Sequence, residues 1–179
     1  MSKYYSYIGN INHVDYEKDV LQYYPLTKKQ EHKEFDKCKL VDLNDVLKYI
    51  IFNASNSLDK QNHLLNNNPD IIVERHHSIL QKDKKVKHIF GIHTDDEGPA
   101  SGPCYSILYY YHIDPEVKKG NLHFYDDVCA NESQPSETFS PVSGDIVAFQ
   151  DGIYHCPGEY YTDSIKPCVR GLLAIFVKI

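Results

Sequence analysis

The chain has 179 residues, which is enough for one domain with a substantial core and too few for two full catalytic domains. An apolar fraction of 41%, with 15 tyrosines and 7 phenylalanines, excludes a disordered segment. The net charge is −6 and the basic residues are scattered, so the chain offers no basic stripe and nucleic-acid binding is not expected.

The stretch MSKYYSYIGN lacks the apolar core of a secretory signal, and no run reaches the ~18 apolar residues that a membrane span needs. We therefore expect a soluble, intracellular protein, most simply cytoplasmic, with no membrane contact. The five cysteines are odd in number and show no C-x-x-C spacing, which argues against a disulfide framework and against a cysteine zinc site. Reduced, partly buried thiols are expected.

Residues 1–69 are predicted to be mainly helical. Apolar residues recur at helical spacing in DLNDVLKYIIFNA, and Asp42 at its start is predicted to be the N-cap. A second, weaker helix is predicted over Ser57 to Leu65, and NNNPD at 66–70 is predicted to form a loop. These N-terminal α-helices are expected to support a sheet built from the rest of the chain.

Residues 70–179 contain short apolar or alternating runs separated by turn residues. The runs are DIIVERHHSIL, KVKHIFGIH, CYSILYYYHI, NLHFYDD, DIVAFQ and VRGLLAIFV. Their spacing of roughly ten residues is typical of an all-β sandwich or barrel and not of alternating βαβ units. We predict a single mainly β domain over residues 1–179. RHH at 75–77 is expected to lie on an exposed edge, because adjacent strand residues face opposite ways and cannot share a metal.

Three H-x-D tripeptides begin at His13, His93 and His112, whereas chance alone predicts about one. In a strand, residues i and i+2 share a face, so the pair can present an imidazole and a carboxylate to one ion. His93 and Asp95 close an apolar run and precede a Gly/Pro-rich loop, as expected at the rim of a site. His13 lies in a polar stretch, and the pair at His112 is predicted to belong to a turn.

The stretch SGDIVAFQDGIYHCPGE supplies a further ligand, His155, after a strand and a turn. Two histidines and one carboxylate on one face of a metal leave positions for a co-substrate and O₂, which suits non-haem Fe(II). Arg170 opens the last run, where it would point inward with the alternate apolar residues from Leu172 to Phe176. A charge is unusual there unless it meets an acidic ligand, and a bidentate contact with a ligand carboxylate is its expected use.

This ordered set of motifs resembles the 2-oxoglutarate/Fe(II)-dependent oxygenases, and its spacing is most like their prolyl-hydroxylase branch. CYSILYYYHIDPEVKKGNLHFYDD is similar to that branch's double-tyrosine strand with its following loop, glycine and leucine-containing strand. SGDIVAFQDGIYHCPGE is similar to its strand with the distal histidine. The resemblance covers about residues 70–179 and implies a double-stranded β-helix, which is a jelly-roll or cupin-like fold.

The resemblance also implies roles for single residues. The iron ligands would be His93, Asp95 and His155. Arg170 would pair with the far carboxylate of 2-oxoglutarate, Tyr110 would hydrogen-bond the same carboxylate, and Leu122 would pack against the co-substrate.

The chain departs from the branch pattern at two places. The gap from the distal histidine to Arg170 is longer than expected, and Lys119-Gly120 replaces the usual glycine pair. Lys166 is therefore an alternative partner for the far carboxylate, because some members of the family use a lysine.

The activity implied by the resemblance is hydroxylation of a substrate C–H, most simply in a prolyl residue of a protein or peptide. The expected cofactor is Fe(II), with 2-oxoglutarate and O₂ as co-substrates, succinate and CO₂ as products, and ascorbate as an optional reductant. The Gly/Pro-rich loop DDEGPASGP is expected to flank the substrate entrance.

Three alternatives stay open. The same chemistry could act on a free amino acid or another small molecule. A nucleic-acid demethylase of the same superfamily would need a basic surface and a second arginine soon after Arg170, but the chain ends in GLLAIFVKI. A non-catalytic cupin-like binding module would show no turnover of iron and co-substrate.

Overall fold

The computed structural model describes residues 2–11, 18, 32–34, 39–58, 68–87, 91–95, 104–126 and 134–178. The strands are β1 (Ser6–Asn10), β2 (His32–Glu34), β3 (Asp70–Leu80), β4 (Lys85–Val86), β5 (Cys104–Ile113), β6 (Val117–Lys119), β7 (Leu122–Tyr125), β8 (Glu137–Phe139), β9 (Asp145–Gln150), β10 (Tyr154–Pro157), β11 (Tyr160–Thr162) and β12 (Cys168–Lys178). A short 3-10 helix (Leu40–Asp42) precedes the α-helix α1 (Asp45–Leu58).

The strands form one large sheet and two small ones. The large sheet has the order β1-β9-β5-β12-β3-β2, and the small sheets have the orders β10-β7-β8 and β4-β11-β6. All neighbouring strands are antiparallel. The predicted mainly β, jelly-roll type of fold is therefore confirmed. No helix in the described ranges is long and apolar enough to cross a membrane.

Apolar side chains cover both faces of the large sheet. On one face, Tyr109 and Tyr111 of β5 belong to an apolar cluster that includes the buried side of α1. On the other face, Leu108 and Tyr110 pack with Phe124 of β7, in a second cluster between the large sheet and the sheet β10-β7-β8. Because β5 is buried on both sides, its sequence CYSILYYYHI is apolar at successive positions. The candidate site lies beside this second cluster.

The helix begins two residues later than an N-cap at Asp42 would require. The side-chain oxygen Oδ1 of Asn44 accepts a hydrogen bond of 2.9 Å from the backbone N–H of Leu47, so Asn44 is the N-cap and the prediction of Asp42 was wrong. Asp42 instead ends the 3-10 helix, and its carboxylate accepts from the backbone N–H of Lys39 at 3.2 Å.

The predicted N-terminal helical support is only partly confirmed. Helix α1 is present, but β1 and β2, from the same part of the chain, form the two edges of the large sheet. Most of the second predicted helix, beyond Leu58, falls outside the described residues. That residues 1–179 form a single domain stays a prediction.

The RHH segment does not lie on an edge, so that prediction was wrong. Strand β3 pairs with β12 on one side and with β2 on the other, and the side chain of Arg75 is only 4% exposed. The physical reason is that β2, from the region predicted to be helical, covers the edge that β3 would otherwise expose.

Candidate functional site

Three side chains that were predicted to share a metal lie together in the structure. One ligand atom from each of His93, Asp95 and His155 falls within 4.8 Å of the others. His155 lies on β10, and the backbone groups of His93 and His155 exchange two hydrogen bonds of 3.0 and 2.9 Å. The H-x-D segment is therefore attached directly to the strand that carries the distal histidine.

Both imidazole rings are held by their Nδ1 atoms. His93 Nδ1 lies 2.9 Å from the carbonyl oxygen of Gly91, and His155 Nδ1 lies 3.0 Å from that of Ile153. A carbonyl can only accept, so each Nδ1 carries a proton, and in the neutral ring Nε2 is then the nitrogen with the lone pair. Those Nε2 atoms lie 3.7 and 3.6 Å from Oδ1 of Asp95.

The carboxylate of Asp95 is oriented by Ser106. The hydroxyl of Ser106, which is buried in β5, donates to Oδ2 of Asp95, while Oδ1 faces the two imidazoles. Ser106 was not predicted from the sequence. The sequence feature that could have indicated it is a polar residue in an apolar strand, on the same inward face as Leu108 and Tyr110.

The cluster is more buried at His155 than at His93. The side chain of His155 is 5% exposed and that of His93 is 27% exposed, and the ring of Phe149 lies 4.7 Å from the His155 ring. Burial lowers the pKa of His155, although the charge of Asp95 acts in the opposite direction. A neutral imidazole is the form that can bind a metal ion.

The donor atoms of this cluster fit a divalent first-row metal. Two imidazole nitrogens and one carboxylate oxygen are the set that forms the facial triad of non-haem iron sites. Ser106 and the two backbone carbonyls hold Oδ2 of Asp95 and the two Nδ1 atoms, and Oδ1 of Asp95 and the two Nε2 atoms face one another. The residues present therefore fit the group that the sequence predicted.

A second group of predicted residues surrounds Arg170 on β12. This guanidinium is 5% exposed, and its Nη2 donates to the carbonyl oxygen of Gly120 at 3.2 Å. Its Cζ lies 5.3 Å from the centroid of the Tyr110 ring and 4.3 Å from that of Tyr160. Among the described residues it forms no ion pair, which is unusual for a buried charge.

Tyr110 and Leu122 lie in the apolar cluster next to this arginine. Both are almost fully buried, and burial raises the pKa of Tyr110 to about 12 although Arg170 acts in the opposite direction. Its phenol therefore stays protonated at neutral pH and can donate a hydrogen bond. By contrast, the alternative residue Lys166 is exposed on the connection between β11 and β12.

The two groups line the same interior. Phe149, which contacts His155, belongs to the cluster that contains Tyr110 and Leu122. The apolar cluster between the large sheet and β10-β7-β8 therefore contacts His155 through Phe149 and Arg170 through Tyr110.

The H-x-D tripeptide at His112 takes no part in the cluster. His112 Nε2 lies 2.9 Å from Oδ1 of Asp114, and the carbonyl of Asp114 accepts from Val117 N at 3.0 Å, which confirms the predicted turn. His13 and the loop segment 96–103 fall outside the described residues.

No protein-family model matches the sequence, and no curated protein matches it. The fold is similar to that of IDO from Bacillus thuringiensis, with 13% sequence identity, a TM-score of 0.65, and coverage of 98% of this chain and 91% of that chain. It is also similar to a prolyl-4-hydroxylase from Pseudomonas putida, with 14% identity, a TM-score of 0.54, and coverage of 98% and 93%. The chain therefore shares the fold of that prolyl-4-hydroxylase over almost its whole length.

Proposed function

We propose that the protein is an Fe(II)- and 2-oxoglutarate-dependent dioxygenase that hydroxylates a substrate C–H. The observation that carries this proposal is the presence of two complementary groups in one interior. A set of three metal-binding atoms lies on one side, and a buried arginine with no ion-pair partner in the described part of the chain lies on the other. A molecule with a 2-oxo acid at one end and a carboxylate at the other suits both.

His93, Asp95 and His155 would hold the iron. Two imidazole nitrogens and one carboxylate oxygen would leave positions on the ion for small ligands. The chemistry supplied with Fe(II) bound is activation of O₂, coupled to conversion of 2-oxoglutarate into succinate and CO₂ and to transfer of one oxygen atom to the substrate. The hydrogen bonds from Ser106 and to Gly91 and Ile153 would keep the ligands oriented before the metal binds.

Arg170 and Tyr110 would hold the far carboxylate of 2-oxoglutarate. Burying an unpaired guanidinium costs free energy, and a bound carboxylate offsets that cost through charge-assisted hydrogen bonds. The protonated phenol of Tyr110 supplies a further donor, and Leu122 offers an apolar surface for the methylene groups. The exposed position of Lys166 makes Arg170 the partner that we propose.

Packed side chains would keep water away from the reacting atoms. Phe149 covers the His155 ring, and Phe124 packs edge-on against Phe149 at 5.6 Å between centroids. A dry interior strengthens the electrostatic contacts and limits side reactions of the oxidant.

For the substrate, we propose a prolyl residue in a protein or peptide. The similarity of the motifs to the prolyl-hydroxylase branch supports this choice, and so does the fold shared with a prolyl-4-hydroxylase. The expected partner is therefore a protein or peptide, not a membrane or a nucleic acid.

The activity is tested by incubating the protein with Fe(II), ascorbate, 2-oxoglutarate and air, and measuring succinate. A panel of proline-containing peptides, read for a mass gain of one oxygen atom, tests the substrate. The expected result is succinate release that depends on Fe(II) and that disappears in His155→Ala. Succinate release without peptide oxidation would contradict the prolyl substrate but not the dioxygenase activity. A protein that binds iron but releases no succinate would favour the non-catalytic module.

A further inference from the structure

The guanidinium of Arg170 is stacked on an aromatic ring that the proposed function does not use. Its Cζ lies 4.3 Å from the centroid of Tyr160, closer than to Tyr110 at 5.3 Å. Tyr160 belongs to β11, in a sheet separate from the one that carries Arg170. An arginine stacked on a tyrosine face gains a cation–π attraction that is strongest when both groups are buried, as they are here.

Tyr160 is itself fixed at its far end. Its hydroxyl lies 2.8 Å from Oγ of Ser78 on β3, and its ring packs with Leu80 and Cys168 in a small apolar cluster. The side chain is 6% exposed. Because the ring is held by a neighbouring strand and by this cluster, it forms a rigid surface for the guanidinium.

Gly120 lies against both the arginine and Tyr160. A Cβ at Gly120 would lie 3.1 Å from Nε of Arg170 and 3.1 Å from Cβ of Tyr160, so any larger residue would crowd both side chains. The residue has φ +82°, and Lys119 before it has φ +63°, so the chain turns sharply here and aims the Gly120 carbonyl at Nη2 of Arg170. Gly120, the one glycine kept where the branch usually has a pair, thus has a steric role.

We infer that Tyr160 is a positioning residue that holds the Arg170 guanidinium at a fixed depth and so selects the chain length of the 2-oxo dicarboxylic acid. This inference rests on the proposed function. A free arginine side chain can extend or retract to meet ligands of different length. Here the ring of Tyr160, the carbonyl of Gly120 and the ring of Tyr110 restrain the guanidinium on several sides. The distance between it and the metal ligands is then set by the protein.

The test compares three ligands in the protein loaded with Mn(II), measured by calorimetry without turnover. The ligands are 2-oxoglutarate, 2-oxoadipate, which is one methylene longer, and 2-oxopentanoate, which has the same length as 2-oxoglutarate but lacks the far carboxylate. The wild-type protein is expected to prefer 2-oxoglutarate over both by about tenfold or more.

Tyr160→Leu is expected to lower the affinity for 2-oxoglutarate by about tenfold, because the guanidinium loses its aromatic surface. Binding of 2-oxopentanoate, which cannot contact Arg170 through a carboxylate, should stay unchanged, and the preference over 2-oxoadipate should largely vanish. Tyr160→Phe keeps the ring and should retain the wild-type preference even if it loses stability with the bond to Ser78.

Tyr161→Leu is the matched control. It makes the same change one position along β11, where the ring contacts Lys85 and Lys119 and not Arg170. A Tyr160→Leu protein that binds Mn(II) normally and keeps the wild-type preference among the three ligands would overturn the inference and leave the proposed function intact. A wild-type protein that binds Mn(II) but no 2-oxoglutarate would overturn the proposed function, and the inference with it.

Discussion

The interior has two chemically opposite regions, built in different ways. The metal end (His93, Asp95 and His155) lies on short elements, since His93 belongs to a single bridge and β10 has only four residues. At the arginine end (Arg170, Tyr110, Tyr160 and Gly120), Tyr110 and Arg170 lie on β5 and β12, two long strands in the middle of the large sheet. Tyr160 lies on β11 and Gly120 directly follows β6, outside that sheet.

The two ends also differ in the groups that contact their functional side chains. At the metal end, carbonyl and hydroxyl groups hold three side chains so that their electron-pair donors face one another. At the arginine end, aromatic rings and one carbonyl surround a cation. Each end complements a ligand of the opposite character, so changes at the arginine end should leave metal binding intact.

The largest effect is expected from removing a metal ligand. His155→Ala should lower the affinity for Fe(II) or Mn(II) by at least about 100-fold, because one of three donors is lost. Calorimetric titration with Mn(II) measures this. His112→Ala is the matched control, since it alters an H-x-D pair that lies in a turn. Equal losses in the two variants would contradict the assignment of the metal end.

Gly120→Ala should damage the arginine end alone. The new Cβ meets Arg170 and Tyr160, and the positive φ adds strain, so we expect a loss of about 1–3 kcal/mol in the free energy of unfolding and weaker 2-oxoglutarate binding. Gly152→Ala is the control, because Gly152 also has positive φ (+74°) but a Cβ there meets nothing within 4 Å. Urea denaturation and calorimetry separate strain from contact, and unchanged 2-oxoglutarate affinity in Gly120→Ala would show that the contact is unimportant.

Arg170→Met should separate stability from binding. Replacing a buried charge by an apolar side chain of similar length is often neutral or stabilising, by up to about 4 kcal/mol. We therefore expect a ligand-free protein at least as stable as the wild type that no longer binds 2-oxoglutarate, while its Mn(II) affinity is retained. A clear loss of stability in urea denaturation would mean that the guanidinium is part of the fold.

Ser106→Ala should weaken metal binding moderately. The Asp95 carboxylate loses the donor that fixes its orientation, and such supporting contacts contribute roughly a factor of 10 in metal affinity. Ser78→Ala provides the comparison, because that hydroxyl serves Tyr160 at the arginine end. Ser106→Ala should therefore bind Mn(II) more weakly than Ser78→Ala does. The opposite order would contradict the separation of the two ends.

The smallest effects concern pH. The lowered pKa of His155 means that the unfolded chain takes up its proton first, so stability falls as pH drops below about 6.5. His77, whose pKa burial also lowers, acts with the same sign. The raised pKa of Tyr110 means that stability falls as pH rises from about 10 towards 12.

Denaturation of the metal-free protein across this pH range measures both limbs. His155→Ala should flatten the acid limb, and Tyr110→Phe should flatten the alkaline limb. A variant that flattened both would show that the two ends titrate together.

Within residues 70–179, the sequence determined strands β3, β5, β7, β9 and β12 and which of their residues face the interior. Alternation in a strand decides which side chains share a face, and this local rule placed Arg170 inward. His93 and Asp95 do lie together as predicted, but on a segment with a single bridge and not on the predicted strand end. The turn at Asp114 was likewise local. That His155 joins this pair was predicted from the order of the motifs. In the structure, backbone pairing between His93 and His155 brings them together.

Tertiary structure alone decided the contacts between elements that are distant in the chain. Strand β2 covers the edge of β3, Ser106 orients Asp95, and Tyr160 supports Arg170. No local pattern marks such contacts, because a hydroxyl or a ring that packs in the core has the same spacing as one that holds a functional group. The sequence thus determined which residues face inward, and only the packing of the sheets decided which neighbours orient them.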